Sequence, residues 1–396
     1  MNIKDRIAEL KAEVIKLRRD FHKHPELGFE EFRTAEEVEY YLRNIGLEPR
    51  RVAKTGVVAT LRGAQPGPVL LLRADMDALP IQEENEVPYK SENPGCMHAC
   101  GHDAHTAMLL VAARVLTEYR EELAGTISFV FQPNEEVAGA EIMIAEGAIE
   151  DPKPDAAMAL HIWTPLPSGT VGVQAGAVMA SMDVFKITVR GRGGHTGYPE
   201  SAVDPIVAAA DIVQTAQTIQ TRQISLMKPT VIMFGRICGG TKNNIIPDEI
   251  VLEGSMRYLY EGGPDSEENP PARLRHIAES VCATHGCTCD VEIERENSAV
   301  INHPEMVQIA RTAAVKVLGD EGKVVEHASM AGEDFSAFTS RMPGVFVFLG
   351  TADPKKETDF PHHNPRFNID EEVLTKGVEL LVEGAFTYFE NRKERR

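Results

Sequence analysis

Pro68-Val-Leu-Leu-Leu-Arg73-Ala-Asp75-Met-Asp77-Ala-Leu-Pro80 is the stretch whose reading decides the fold. Its apolar run does not alternate with polar residues, as expected of a strand covered by helices on both faces of a parallel sheet. Two aspartates follow where such a strand would leave the sheet. In open α/β sheets, ligands bind beyond the carboxyl ends of the strands. The same form recurs along the chain. Phe129-Val-Phe131 runs into Gln132-Pro-Asn-Glu135-Glu136, and Ala157-Met-Ala-Leu160 runs into His161. Phe346-Val-Phe-Leu349 leads to a loop carrying Phe360-Pro-His362-His363-Asn-Pro365. If these strands are parallel, four of them end in acid–base or metal-binding side chains on one edge of the sheet.

The flanking segments supply the helices. Ile3, Ile7, Leu10, Val14, Leu17 and Phe21 recur at steps of four and three, which predicts one amphipathic helix ending near His24-Pro25. Further helices are expected over about 34–44, 104–119 and 140–146. The resulting αβαβ alternation predicts an α/β domain with a mostly parallel central sheet flanked by helices. The pattern changes near Met182. From there to about residue 295 the order strand-helix-strand-strand-helix-strand predicts an inserted ferredoxin-like α+β domain. The expected division is 1–182 with 296–396 for the first domain and 183–295 for the insert. After Glu296 the first style returns, with a helix over 304–318, a buried-strand run at 345–349 and a final helix over 370–388.

Composition bounds the function. The chain has 396 residues, which suggests two domains or one large one with an insertion, and 43% of them are hydrophobic, enough for a real core. A net charge of −19 argues against binding a nucleic-acid backbone or an anionic membrane. The opening residues lead into a charged helical pattern with no apolar leader segment, and no apolar run approaches the ~20 residues of a membrane span. Six irregularly spaced cysteines do not suggest a disulfide framework, so a cytoplasmic setting is expected. Cys287-Thr-Cys289 is read as two ordinary half-buried thiols.

Gly95-Cys-Met-His-Ala-Cys100-Gly-His102-Asp103-Ala-His105 concentrates thiol, imidazole and carboxylate, the side chains that bind transition metals. Taken singly, each candidate could serve a plain structural purpose. His161 could be a hydrogen-bonded strand-end residue, Glu135-Glu136 a solvated pair, and Asp75 and Asp77 turn formers before Pro80. His22 and His24 are read as binding carbonyls at the first helix end. The joint occurrence favours a metal site. Adjacent glutamates suit it, because one can bind metal while its neighbour takes a proton from water whose pKa the metal lowers from about 15.7 toward ~7.

The motifs Leu72-Arg-Ala-Asp-Met-Asp-Ala-Leu-Pro80, Met97-His-Ala-Cys-Gly-His-Asp-Ala-His105, Gln132-Pro-Asn-Glu-Glu136, Ala159-Leu-His161 and His363-Asn-Pro resemble the M20 family of metallopeptidases, most closely its amidohydrolase branch. The likeness runs from Arg18-Arg-Asp-Phe-His-Lys-His-Pro-Glu-Leu-Gly28 to the C-terminal histidines. It implies a catalytic α/β domain with an inserted lid that mediates a homodimer or homotetramer. It implies two divalent metal ions per subunit, held by Cys100, His102, Glu136, His161 and His363, with Cys100 bridging. Zinc or manganese is expected, and cobalt or nickel is compatible with the same donors. The resemblance makes Glu135 the general base and acid, and His195 in Gly191-Arg-Gly-Gly-His195 the group that stabilises the tetrahedral intermediate. Asn244 and Arg257 become candidates for the substrate carboxylate, and Asp77, Asp103, His98, His105 and Gly332-Glu-Asp-Phe335 become supports. Cys96 is left as a bystander. The implied reaction is hydrolysis of the amide of an N-acyl amino acid, acetyl- or benzoyl- for example. The alternatives are a carboxypeptidase or dipeptidase with the same machinery, or a catalytically silent metal-binding scaffold.

Overall fold

The computed structural model describes residues 2–264 and 266–393. It contains two compact units. One comprises Met1–Val178, Ile301–Ala328 and Asp334–Arg396, and the other Met179–Val300 and Ser329–Glu333. Ser329–Glu333, expected with the first domain, therefore belongs to the second unit. Backbone bonding accounts for this. Ala180 donates its N–H to Ala331 O at 2.9 Å, Met179 bridges to Ser329, and the Arg257 guanidinium donates to Met330 O at 3.2 Å. No hydrophobic period encodes such bonds.

In the first unit, helices α1 (Ile3–Glu9), α2 (Lys11–Lys23), α3 (Phe32–Asn44) and α4 (His102–Glu118) accompany strands β1 (Arg50–Val52), β2 (Gly56–Arg62), β3 (Gln65–Asp75), β4 (Ala124–Gln132) and β5 (Ala156–Pro167). The single helix expected over residues 3–21 is in fact two, α1 and α2, parted at Leu10. The apolar steps run through the break because Leu10 itself stays buried. Periodicity reports the buried side, not the continuity of the backbone.

The main sheet has eight strands in the order β1-β2-β4-β3-β5, then Gly344–Ala352, Val171–Gly172 and Val324–Val325. β4, β3, β5 and Gly344–Ala352 are mutually parallel, while β2 runs antiparallel to β4. The four strands that lead to candidate functional residues are thus the four parallel ones. Leu70, Leu71 and Leu72 are fully buried. Burial of each contributes about 2 kcal/mol, whichever face it points to. β5 is longer than expected. His161 lies within it rather than at its end, because β5 keeps pairing with Gly344–Ala352 as far as Pro167.

α4 is buried almost all round, packed against β3, α2 and the C-terminal helix Leu374–Lys393. It begins at His102, two residues earlier than the pattern predicts. Gly101 makes this start possible. Its φ is +99°, and a Cβ there would collide with the Ile162 side chain.

The first turn of α4 is held from below by buried charge. Arg18 Nε lies 2.9 Å from Asp103 Oδ2, and both side chains are fully buried. His22 Nδ1 lies 2.7 Å from the same carboxylate and its Nε2 3.2 Å from Glu83. His22, expected on a helix-end carbonyl, is therefore part of this network, whereas His24 does bind one, with Nδ1 2.8 Å from Asp20 O. Burial would raise the Asp103 pKa, but Arg18 and then His22 outweigh it and hold it far below the usual carboxylate range. An unfolded aspartate titrates near ~3.9. The stabilisation is thus full at neutral pH and is lost as pH falls below about 4 toward the folded value. Asp103→Asn leaves Arg18 buried with its closest counter-charge gone, at a cost of about 3 kcal/mol. Calorimetry of the metal-free protein at pH 7 should show the first unit's Tm lowered by roughly 6–12 °C. A shift under ~2 °C would remove the network from the stability argument.

The second unit carries an antiparallel sheet of Ser181–Arg190, Thr230–Gly239, Glu249–Tyr258 and Thr288–Asn297, with helices Pro205–Thr218 and Pro270–Thr284. Numbered along the unit, the strands lie in the order 2-3-1-4, and with the β-α-β-β-α-β succession this is a ferredoxin-like sandwich. Ala208, Ile212, Leu274, Ile277, Ile187 and Leu252 are among its core residues. Among the described residues, no helix is long and apolar enough to cross a membrane.

Candidate active site

β3, β4 and β5, with the loop after Gly344–Ala352, bring their polar residues to α4. Cys100, His102 and His161 form one group of donor atoms within 4.8 Å of one another, and Cys100, Glu136 and His363 form another. Cys100 belongs to both. His161 Nε2 lies 3.6 Å from its Sγ, and His363 Nε2 lies 3.2 Å from Glu136 Oε1. His363 reaches this place from a left-handed backbone, φ +63°, fixed by its N–H to Ala99 O at 2.9 Å.

Supporting bonds orient His102, Glu136 and His161. Asp77 takes His102 Nδ1, with its backbone O at 2.9 Å and Oδ1 at 3.2 Å, and its other oxygen accepts the Glu136 N–H at 3.1 Å. His102 Nε2 is left buried with no hydrogen-bond partner. His161 Nδ1 lies 2.5 Å from Ile162 O, so its Nε2 lone pair faces Cys100. Burial, then His105 and His362, keep His161 neutral by lowering its pKa. Burial opposes protonation of His102, yet Asp75 and the Cys100 sulfur outweigh it and raise its pKa. His363 is raised to about 10, chiefly by its bonds to Cys100 and Glu136. These surroundings attract positive charge. A thiol, a carboxylate-backed imidazole, two further imidazoles and a glutamate, with one buried nitrogen left unpaired, fit a divalent transition metal.

Glu135 stands beside this set, with Oε2 3.9 Å from His102 Nε2 and Oε1 accepting the Asp334 N–H at 3.4 Å. The expected supports divide. His105 Nδ1 lies 2.5 Å from Asp75 and its Nε2 accepts the Ile162 N–H at 2.9 Å, so it braces β5. Asp103 faces the Arg18 network rather than the donors. His98 is buried with both ring nitrogens unpaired and its pKa pushed down to about 4 by burial, so it braces no donor through a hydrogen bond. Asp334 accepts from Arg73 at 3.0 Å, Gln132 at 2.8 Å and the Ala140 N–H at 2.8 Å, and ties the ends of β3 and β4 together.

In the second unit, His195 and Asn244 line one open pocket with Lys242 and Asp248. His195 Nδ1 accepts the Gly197 N–H at 2.9 Å, so Nε2 carries the proton of the neutral ring and is a donor. Arg257 is not brought to them. It sits eight residues beyond Glu249 on Glu249–Tyr258, roughly 27 Å along the strand from the pocket end. Sequence reading missed Glu31, which is fully buried and accepts the Asn134 N–H at 2.9 Å, and Glu83. Neither carries a periodic signal. Arg18 did have one, as a charge in the apolar stripe of α2.

A parallel sheet whose strand ends converge on thiol, imidazole and carboxylate donors, with a second glutamate alongside, defines a metal-dependent hydrolase of amide bonds. Residues 71–385 match peptidase family M20/M25/M40, and the chain belongs to that family. It is 37% identical to the N-acetylcysteine deacetylase of Bacillus subtilis, over 96% of this chain and 98% of that protein. It is 38% identical to thermostable carboxypeptidase 2 of Saccharolobus solfataricus, over 95% of each. A solved dinuclear metal-binding M20 peptidase from Bacillus subtilis superposes with a TM-score of 0.84 at 34% identity, covering 97% of this chain and 99% of that one.

Proposed function

We propose that the protein hydrolyses the amide of N-acyl amino acids, such as acetyl or benzoyl derivatives, to a carboxylate and a free amino acid. The observation that carries this reading is a second glutamate, Glu135, whose Oε2 stands 3.9 Å from His102 Nε2 beside the two groups of donors that share Cys100. Two divalent ions, zinc or manganese, with cobalt or nickel compatible, would be held by Cys100, His102 and His161 and by Cys100, Glu136 and His363. When bound they supply the Lewis acidity that brings a water proton within reach of a carboxylate at neutral pH. Glu135 takes that proton as the water oxygen adds to the carbonyl carbon. It returns the proton to nitrogen as the C–N bond breaks. His195 Nε2–H stabilises the oxyanion. Arg257 and Asn244 are assigned to the substrate carboxylate, Arg257 because a guanidinium matches it bidentately. Their separation on one second unit means that one copy of that unit cannot supply both to a single small substrate. Asp77 sets the His102 tautomer, while Asp103 acts only through the helix it anchors.

The deacetylase relative supports N-acyl substrates, and the carboxypeptidase relatives support peptide cleavage as the second reading. Assembly as a homodimer or homotetramer through the second unit is supported by Thr230–Gly239. This strand lies at the edge of its sheet with Met233 60% and Ile237 62% exposed. Six unpaired cysteines support a cytoplasmic setting. The test is a panel of N-acetyl- and N-benzoyl-amino acids against free dipeptides, with metal content measured on the same preparation. The expected kcat/KM is at least ~10-fold higher on the acylated compounds, about the discrimination of one well-fitted apolar group. The reverse ratio would make the protein a peptidase. Full metal loading with no turnover would leave the scaffold reading.

A further inference from the structure

The loop that presents Glu135 is unusual in its backbone. Asn134 (φ +53°) and Ala138 (φ +59°) are both left-handed. Such conformations cost a non-glycine residue of order 1 kcal/mol and persist only where the surroundings enforce them. Asn134 is gripped from three sides. Its N–H donates to Glu31 Oε1 at 2.9 Å, and Glu31 Oε2 accepts the Thr55 hydroxyl at 2.6 Å. Its carbonyl accepts the N–H of Gly139 at 2.7 Å and of Val137 at 3.3 Å. Its side-chain oxygen occupies the space where a Cβ on Gly28 would sit. Glu31 is fully buried. Burial pushes its pKa up to about 7, a cost an apolar side chain would not incur.

We propose that Glu31 is a positioning residue whose buried side chain clamps the Asn134 backbone, with Gly28 closing the other side, and thereby aims Glu135 at the reacting water. This rests on Glu135 being the proton carrier. The clamp acts on Glu135 more than on the donor set, because Glu136 has anchors of its own. Its N–H is held by Asp77 at 3.1 Å and its carboxylate lies 3.2 Å from His363. Loosening Asn134 should therefore cost turnover and not metal.

The test uses the metal-loaded full chain. Glu31→Leu fills the space without an acceptor and is expected to lower kcat by ~10–100-fold, with KM within about twofold and metal content unchanged, as for misplacement of a catalytic group by about 1 Å. Glu31→Gln keeps an oxygen for the Asn134 N–H while the Thr55 hydroxyl turns to accept, so it should restore kcat to within about threefold of the parent. Gly28→Ala pushes Asn134 from the opposite side and should reproduce the kcat loss, which keeps the test open if Glu31→Leu does not fold. Amide hydrogen exchange of the metal-free protein should show faster exchange over residues 133–139 in Glu31→Leu and not in Glu31→Gln. Parental kcat in either Glu31→Leu or Gly28→Ala overturns the clamp. So does loss of metal in step with kcat, or a Glu31→Gln variant as slow as Glu31→Leu, since charge and not the hydrogen bond would then matter. Glu135→Gln is measured in parallel. If it turns over at the parental rate, the reaction reading fails whatever the Glu31 variants do. If it is inactive while Glu31→Leu is parental, only the clamp fails.

Discussion

Glu135→Gln is expected to lower kcat on an N-acyl amino acid by about 10³-fold or more while metal content and Tm stay near parental. General acid–base catalysis by one positioned group contributes roughly 10²–10⁴-fold, and Glu135 is asked to act twice in one turnover. Glutamine keeps the shape and can still accept the Asp334 N–H that reaches Oε1 at 3.4 Å, so the loop need not move. It cannot take a proton from water, nor carry one to the leaving nitrogen. The donor set is left as it was, because Glu136 and not Glu135 lies against His363. The measurement is steady-state kinetics with metal analysis on one preparation. Turnover within ~10-fold of parental at full metal loading would show that the proton travels by another route. A fall in kcat matched by an equal fall in metal would show Glu135 to be a ligand. The experiment also separates enzyme from scaffold, since a protein that only binds metal has no rate to lose.

The parallel core was legible because β3, β4, β5 and Gly344–Ala352 are buried on both faces, and a continuous apolar run of that length fits few places besides a covered strand. The grouping of the candidate donors was legible because its members follow those runs or sit in the dense Gly95–His105 segment. Two kinds of feature were not. One was geometry along an element. A run of apolar residues shows that β5 is buried but not that pairing carries it on to Pro167, so His161 was expected at a strand end. Likewise, the motifs that offered Asn244 and Arg257 for one carboxylate do not show that Glu249–Tyr258 sets them about a strand's length apart within one unit. The other was buried polarity. Arg18, Glu31 and Glu83 are charged letters in a sequence, and charged letters ordinarily mean surface. Only tertiary packing shows that Asp103 looks down at Arg18 rather than up at the donors, or that Glu31 holds a loop more than a hundred residues away.

Cys100→Ala should lose more metal than any other single replacement in the donor set. Cys100 is shared by both groups of donors, whereas His161 belongs to one and Glu136 and His363 to the other among the five assigned ligands. A variant lacking His161 keeps Cys100, Glu136 and His363 and should retain close to one equivalent of metal after dialysis. A variant lacking Cys100 leaves two donors in each place and should retain well under half an equivalent. Stability gives an independent readout. A ligand present at 1,000 times its Kd adds about 4 kcal/mol to the folded state, so the rise in Tm on adding metal should nearly vanish in Cys100→Ala and persist in part in His161→Ala. Cys96 is the control within the same segment. Its sulfur joins none of the groups of donor atoms found among the described residues, and Cys96→Ala should match the parent in metal content. If Cys100→Ala and His161→Ala kept equal metal, the sulfur would belong to one ion only, and the two groups would have to be joined through Glu135 or Glu136, which lie together with His102 in a third cluster of donor atoms.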